Sequence, residues 1–324
     1  MSTTSIKIFP DQPYWDTFDE TKNYHRVLFR PGYAVQAREL TQMQTALQAQ
    51  IDRHGQYAFK DGSRVVNGEV SVNIEYDYIK VESTFTHSAG TGNVAGLSNF
   101  KGEIITGSSQ SGNQVTAVVL DVIVAAGGDA DTLYIAYESK GGPDKDIGKF
   151  VVGEVFTATT SIGLKYGMVG GGTNTDGAGA DSVIANAIGQ GSSASIREGV
   201  YFISGCFTYV PESTLILDKY TSAPTYIVGL QVAENLVTSA EDGNLNDNAQ
   251  GVPNTAAPGA SRYQIATTLI KESVNLGDPT DASASGDSAR TILNYIPLLT
   301  VTNGIVSVDT SDKTSDTGLT LRLA

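Results

Sequence analysis

Between Pro31-Gly32 and Gly55 the chain runs without a glycine or a proline, although glycine is scattered through most of the remaining sequence. Pro31 fixes φ and removes a donor, Gly32 admits positive φ, and a turn at that point is close to forced. Behind it, Ala, Gln, Leu, Met, Arg and Glu, all good helix formers, fill the run, so a helix is expected from about Ala34 to His54. Gly55 sits where a C-capping glycine belongs. Leu40, Met43, Leu47, Ile51 and His54 recur at steps of three and four and so share one narrow stripe. Gln36, Gln42, Gln44, Gln48 and Gln50 flank it without charge.

Such a stripe has two readings. The plainer one lays an amphipathic helix on its own domain. The other packs copies of the helix together, because glutamines can hydrogen-bond across chains without burying charge. We adopt the second as the expectation: a homotrimer whose axis passes near this helix, with Leu40, Met43, Leu47, Ile51 and His54 as the oligomer interface. Threefold packing also hides strand edges that a lone β-domain would expose.

Ahead of the helix, residues 1–23 carry Pro10 and Pro13 beside Tyr14, Trp15 and Phe18. They read as an extended attachment arm in which Tyr14, Trp15 and Phe18 pack on something, another chain included. Residues 24–58 form the turn and helix.

After Gly55 the pattern changes to period two. Residues from Val66 to Tyr78 alternate cleanly, with Gly68 marking a bend. The stretch from Arg197 to Val210 repeats the glycine and apolar-pair spacing of 61–70, so the two are expected to be paired or equivalent strands. The expectation is a main β-domain of residues 59–82 and 196–308, with 83–195 inserted as a small β-domain of its own. Short strands are expected at 100–107, 115–124, 132–137 and 150–158. A glycine-rich loop is expected over 167–191. In the third block, 239–254 reads as a polar loop, and 295–308 as a hairpin turning at Asn303-Gly304. Residues 309–324 are a polar C-terminal tail. The fold class expected is mainly β with one long N-terminal helix, a sandwich or barrel-like domain carrying an inserted β-domain.

Composition narrows function by exclusion. Charged residues are 17% of the chain and the formal charge is −14, with a pI near 4.6. Nucleic-acid affinity draws on clustered Lys and Arg, and the densest basic group here is only His25, Arg26 and Arg30, so no nucleic-acid partner is expected. The first residues lack a basic then apolar leader pattern, and no apolar stretch approaches transmembrane length; neither secretion nor membrane insertion is expected. Cys206 is the single cysteine and lies in an apolar run, as a buried small hydrophobe would.

Three histidines and one cysteine leave little for a hydrolase triad or a zinc site. Asp176 to Asp181 and Glu241 to Asp247 hold enough oxygen ligands for calcium but lack the EF-hand spacing, and solvated turns are the plainer reading. No catalytic, cofactor-binding or metal-ligating residue is named, and no enzymatic role or cofactor is expected. Distant paired carboxylates, as in glycoside cleavage, leave no local signature.

The run from Tyr24 to Thr41, YHRVLFRPGYAVQARELT, with Gln44, Gln50, Ile51 and Gly55, resembles the start of a family of tailed-phage virion proteins. That family is described as tail-fibre or baseplate-associated. Its later blocks resemble Glu198 to Phe202, Leu217 to Tyr220, Val228 to Leu230, Glu241-Asp242, Asp247 to Ala249 and Ala256 to Tyr263, in order. The region after Val306 departs from the family pattern, which continues with Arg and aromatics. The resemblance implies a structural component of a bacteriophage tail, a fibre root or adaptor that joins the tail or baseplate to host-recognition parts. It implies a virion location after assembly in the host cytoplasm, and as partners other copies of itself and other phage tail or baseplate proteins. Trimeric tail fibres are common, which favours three copies by analogy. The alternative is a carbohydrate-binding or depolymerising tail protein, with a host-surface glycan as partner. Aromatic platforms for a glycan would have to come from Tyr134, Tyr137 and Tyr166, since 83–195 holds no tryptophan.

Overall fold

The computed structural model describes residues 6–82, 84–87, 90–93, 97–107, 115–139, 149–160, 163–170, 184–249, 251–273 and 294–307. Among the described residues the fold is mainly β, with strands holding 49% and helices 14%, one long helix, and a curled sheet that makes half a barrel. The helix is α1, Ala37–Ala58. In chain order the strands are β1 Ser63–Asn67, β2 Val70–Val81, β3 Thr84–His87, β4 Gly90–Asn93, β5 Ile104–Gly107, β6 Thr116–Ile123, β7 Asp131–Ser139, β8 Val155–Thr160, β9 Gly163–Met168 and β10 Ile188–Ile196. There follow β11 Gly199–Ile203, β12 Cys206–Val210, β13 Ser213–Asp218, β14 Tyr226–Val237, β15 Asn246–Asp247, β16 Asn254–Pro258, β17 Arg262–Ser273, β18 Tyr295–Thr302 and β19 Ile305–Ser307.

Two compact units share these elements. One takes in Met1–Ser71, Ala194–Leu215 and Thr225–Ala324, the other Val72–Ser193 and Ile216–Pro224. The second is wider than the insert expected at 83–195, for a packing reason. In β2, Ile79 and Val81 enter one apolar cluster of this unit with Phe100, Leu133, Phe156 and Met168. Tyr76 and Tyr78 point the other way and join Tyr134, Ile216 and Tyr220. Both faces of β2 are therefore committed to the second unit, and the chain at 216–224 covers the outer one.

The sheet of the second unit has the order β13-β10-β2-β7-β6-β5-β8-β9. It curls, because Val81 at the end of β2 forms an antiparallel bridge with Val169, just after β9. Amide bonds from Glu82 to Met168 O at 3.1 Å and from Gly170 to Lys80 O at 2.9 Å complete the closure. The glycine-rich stretch expected to be loop at 167–191 is in part strand, since β9 and β10 occupy its ends; its centre, 171–183, lies outside the described residues.

In the first unit β1, β11 and β12 form an antiparallel sheet, with Ser63 opposite Phe202 and Phe202 opposite Phe207. A second sheet has the order β17-β14-β18-β19. Here β14 pairs with β17 along its whole length, and Val228, Leu230, Leu299 and Val301 are buried. β18 and β19 meet at Asn303-Gly304, both at positive φ, which is the expected hairpin turn.

The clean alternation from Val66 to Tyr78 does not make one strand. Asn67 and Gly68 both adopt positive φ, and the chain leaves the sheet of β1 for that of β2. A side chain at Gly68 would meet the ring of Tyr201, whose hydroxyl donates to the Gly68 carbonyl at 2.6 Å. The expected C-terminal tail, 309–324, lies outside the described residues.

Candidate interaction surface

α1 begins three residues later than its helix-forming run suggests and ends four later. Gln36 and Glu39 form a reciprocal capping box, with the Gln36 amide donating to the Glu39 carboxylate at 2.8 Å. At the other end Gly55 does not cap. It lies inside the helix, which ends at Ala58 and is capped by Phe59, whose amide donates to the Gly55 carbonyl at 2.7 Å.

The buried residues of α1 are Thr45, Ala46, Ala49, Asp52 and Gly55, a face that is small and partly polar. Two long-range ties and one local bond hold it. The Thr45 hydroxyl donates to the carboxylate of Asp16, itself buried, and the same carboxylate accepts the Phe18 amide at 3.0 Å. Asp52 is fully buried and accepts from the Gln56 amide group at 2.9 Å. Arg53 grips Glu20 with both Nε, at 2.6 Å, and Nη2, and the Arg53 hydrogen bond holds that carboxyl below the usual range.

Residue 49 lies about 200° round the helix from residue 47, at roughly 100° per residue. The expected stripe therefore falls on the side opposite the anchored face. Leu40, Met43, Leu47 and Ile51 are exposed, from 37% for Met43 to 60% for Leu47, and His54 is exposed with them. The helix does rest on its own chain, but through Thr45, Ala49 and Asp52; the plainer reading had assigned that task to the apolar stripe.

A second apolar set precedes the helix and was not singled out by periodicity, because it is not periodic. Tyr24, Leu28, Phe29, Tyr33 and Val35 are all exposed, Leu28 by 79%. From Tyr24 to Gln36 the chain has neither helix nor strand. Its own hydrogen bonds are local: the Tyr33 amide to Arg30 O at 3.3 Å, and the capping bond of Gln36. Arg30 stands over the Tyr33 ring at 4.8 Å. Monomers seldom leave so many large apolar side chains in water along one stretch.

The N-terminal arm docks partly on its own chain. Ile6 is buried, and Phe9 meets Tyr14 and Tyr263 edge-on at 5.8 and 5.5 Å. Tyr14 and Phe18 are half-buried, while Trp15 stays 55% exposed.

Residues 12–106 and 168–282 match a protein family described as a domain of unknown function, DUF4815. The chain belongs to this family. The DUF4815 match takes in the whole of α1, the residues that lead into it, and parts of both units. No curated protein and no solved structure matches the chain.

Other features of this DUF4815 chain serve its own structure. In the second unit Asp129 accepts from Lys219 at 3.2 Å and from Tyr220, and pairs with Lys80 at 3.4 Å. Lys80 also lies 4.1 Å above the Tyr220 ring. Burial raises the Asp129 pKa, but the hydrogen bonds from Tyr220, Lys219 and Lys80 outweigh it and hold the carboxyl below its ordinary value. Tyr134 is buried and Tyr137 packs on Phe150 at 5.9 Å, so neither presents a platform to solvent; the Tyr166 side chain lies outside the described residues. In the 241–247 stretch each carboxylate accepts a nearby backbone amide: Glu241 from Thr238 at 2.8 Å, Asp242 from Asn244 at 3.0 Å, Asp247 from Ala249 at 3.1 Å. The 176–181 stretch lies outside the described residues. Among the described residues no three His, Cys, Asp or Glu gather as a metal site. No described helix is long and apolar enough to cross a membrane.

Proposed function

We propose that this chain is a structural assembly protein of a bacteriophage tail, a fibre root or adaptor that works as a homotrimer with α1 beside the axis. One observation carries the reading. α1 is fixed to its own chain by its small polar face and turns Leu40, Met43, Leu47 and Ile51 outward, where only another molecule can cover them. The 3-4 spacing of the stripe suits a short helical bundle, and the uncharged glutamines beside it suit close approach of identical helices. The resemblance of Tyr24 to Thr41 and of the later blocks to tailed-phage virion proteins supplies the tail location.

Light scattering on the purified chain tests the assembly. A trimeric mass is expected at micromolar concentration, and a monomeric mass refutes the proposal. Leu47→Asp sets three carboxylates in one apolar layer, at a cost of several kcal/mol. That variant is expected to be monomeric and otherwise folded; a trimeric Leu47→Asp protein would move the axis away from α1.

A further inference from the structure

The Asp129 cluster ties 216–224 to the sheet of the second unit and, in doing so, leaves one positive charge over. On Oδ1 Asp129 accepts the Ala130 amide at 3.1 Å and faces Lys80 Nζ at 3.4 Å. On Oδ2 it accepts from Lys219 Nζ at 3.2 Å and from the Tyr220 hydroxyl. A carboxylate offers roughly four lone-pair sites, so this one is full, and two ammonium groups share it. Lys80 has the weaker share, because 3.4 Å is longer than the roughly 2.7–2.9 Å of a charge-assisted bond. It is also the more buried of the two, its side chain 11% exposed against 41% for Lys219. A buried ammonium is costly unless its charge is balanced. The face of Tyr220, 4.1 Å from Nζ, offsets part of that cost and leaves the charge in place. The backbone of Lys80 is fixed on both sides: its amide donates to Ala187 O at 2.7 Å and its carbonyl accepts from the Gly170 amide at 2.9 Å.

Lys80 forms part of the wall of an open cleft of about 490 Å³, whose described lining adds Gly128, Asp129, Ala130, Ile184 and Ala185. Small-molecule sites run to roughly 300–1,000 Å³. Charge balance sets the charge of the ligand. One negative charge neutralises Lys80, Lys219 and Asp129 together, and a second would stand against the Asp129 carboxylate. The walls set its body. Ala130, Ala185 and Gly128, where a Cβ would meet nothing within 4 Å, offer little apolar area beside Ile184. A hydroxylated body that keeps its water therefore fits better than an aliphatic or aromatic one. We propose that this cleft binds a small monoanion with one carboxylate on a hydroxylated body, the chemistry of a sugar acid, its carboxylate seated on the Lys80 ammonium. Recognition is by charge and needs no aromatic platform. All the residues involved belong to the second unit, and the site does not depend on the assembly reading above.

Calorimetric titration of the full chain with glucuronate at pH 8 and low salt tests it. A dissociation constant of about 1 mM is expected, the scale of one partly desolvated ion pair. Lys80→Met should weaken binding at least about tenfold by removing the seat. Lys219→Gln, at a more exposed position outside the described lining, should weaken it by a similar factor of about ten, because Lys80 and Asp129 then balance each other. Circular dichroism checks the fold of both variants, and if Lys80→Met unfolds, Lys219→Gln carries the test. Wild type that takes up no glucuronate at about ten times the expected constant overturns the site. Binding that survives the substitutions overturns it too. Inorganic phosphate, a dianion at this pH, or hexanoate binding as tightly as glucuronate overturns the ligand class. Methyl glucuronide, blocked as a residue within a polymer is, separates two sources of the same chemistry: binding like that of glucuronate admits a chain residue, its loss assigns the free acid, and either supports the carboxylate site.

Discussion

A Cβ placed on Gly55 would stand 2.3 Å from Cε2 of Phe202, a residue buried in the sheet of β1, β11 and β12. The glycine in the last turns of α1 is there to let the helix touch that ring. Phe202 is in turn wedged between Phe59, at 6.0 Å, and Phe207, at 5.5 Å, and has no room to retreat. Gly55→Ala is expected to lose about 2 kcal/mol, the upper overpacking cost of roughly 3 kcal/mol that so close a contact implies less the ~1 kcal/mol that alanine returns to a helix. Urea unfolding reads it. Phe202→Leu in the same chain should recover part of the loss, and an unchanged or higher midpoint for Gly55→Ala alone would refute the contact.

The Asp16–Thr45 bond ties the N-terminal arm to the helix across 29 positions of sequence. Thr45→Val removes the hydroxyl and leaves a carboxylate that is 1% exposed with one donor fewer, at about 1.5–3 kcal/mol. Limited proteolysis should then cut within 6–36 faster than in wild type while the β-units persist. Cleavage at the wild-type rate would show that the arm is held by other contacts.

Alkaline stability should reflect the buried tyrosines. Burial, with the nearby Asp121 charge, pushes Tyr76 up to about 12 from 10.0, and Tyr201 likewise reaches about 12 through burial and Glu69, against the opposing pull of Arg64. Because the folded values are raised, this stability is intact below pH 10 and is lost as pH climbs from 10 towards 12. Tyr76 stacks on Tyr134 at 4.9 Å. Tyr76→Phe is therefore expected to match wild type at pH 8 and to exceed it by about 1 kcal/mol at pH 11. A variant that tracks wild type across both pH values would contradict the burial.

Trp15 is the chain's single tryptophan and half of it faces water, so it reports on the arm directly. Emission typical of a solvated indole is expected from the isolated chain and, on the attachment role proposed for the arm, a shift to the blue when a partner covers it. Trp15→Ala should change stability by less than about 0.5 kcal/mol, as exposed positions do, and should lower incorporation into particles. Normal incorporation would end the attachment role given to this residue.

Much of the fold is legible where its causes are local. A turn at Pro31-Gly32, a helix through the run of good formers, alternating strands and an Asn-Gly hairpin all follow from backbone sterics and side-chain spacing within a few residues. The stripe of Leu40, Met43, Leu47 and Ile51 is legible for the same reason: helical periodicity alone puts these residues on one face. Leu28, Phe29 and Tyr33 carry no period, and their exposure had no signal beyond an apolar run beside a turn.

Which face of α1 meets its own chain was decided only in three dimensions. Thr45 and Asp52 look like solvent residues in the sequence, yet both are buried: the Thr45 hydroxyl donates to Asp16 across 29 positions, and Asp52 accepts from Gln56 one turn further along the helix. Gly55 reads as a helix end until Phe202, far along the chain, arrives beside it. Asn67 and Gly68 look like part of one alternating strand until Tyr201 claims the space above them and sends the chain into another sheet. Amino-acid order determines period and turn; the close approaches of Gly55 to Phe202 and of Gly68 to Tyr201 depend on residues more than a hundred positions away, the burial of Thr45 on Asp16 across 29, and these are settled by packing.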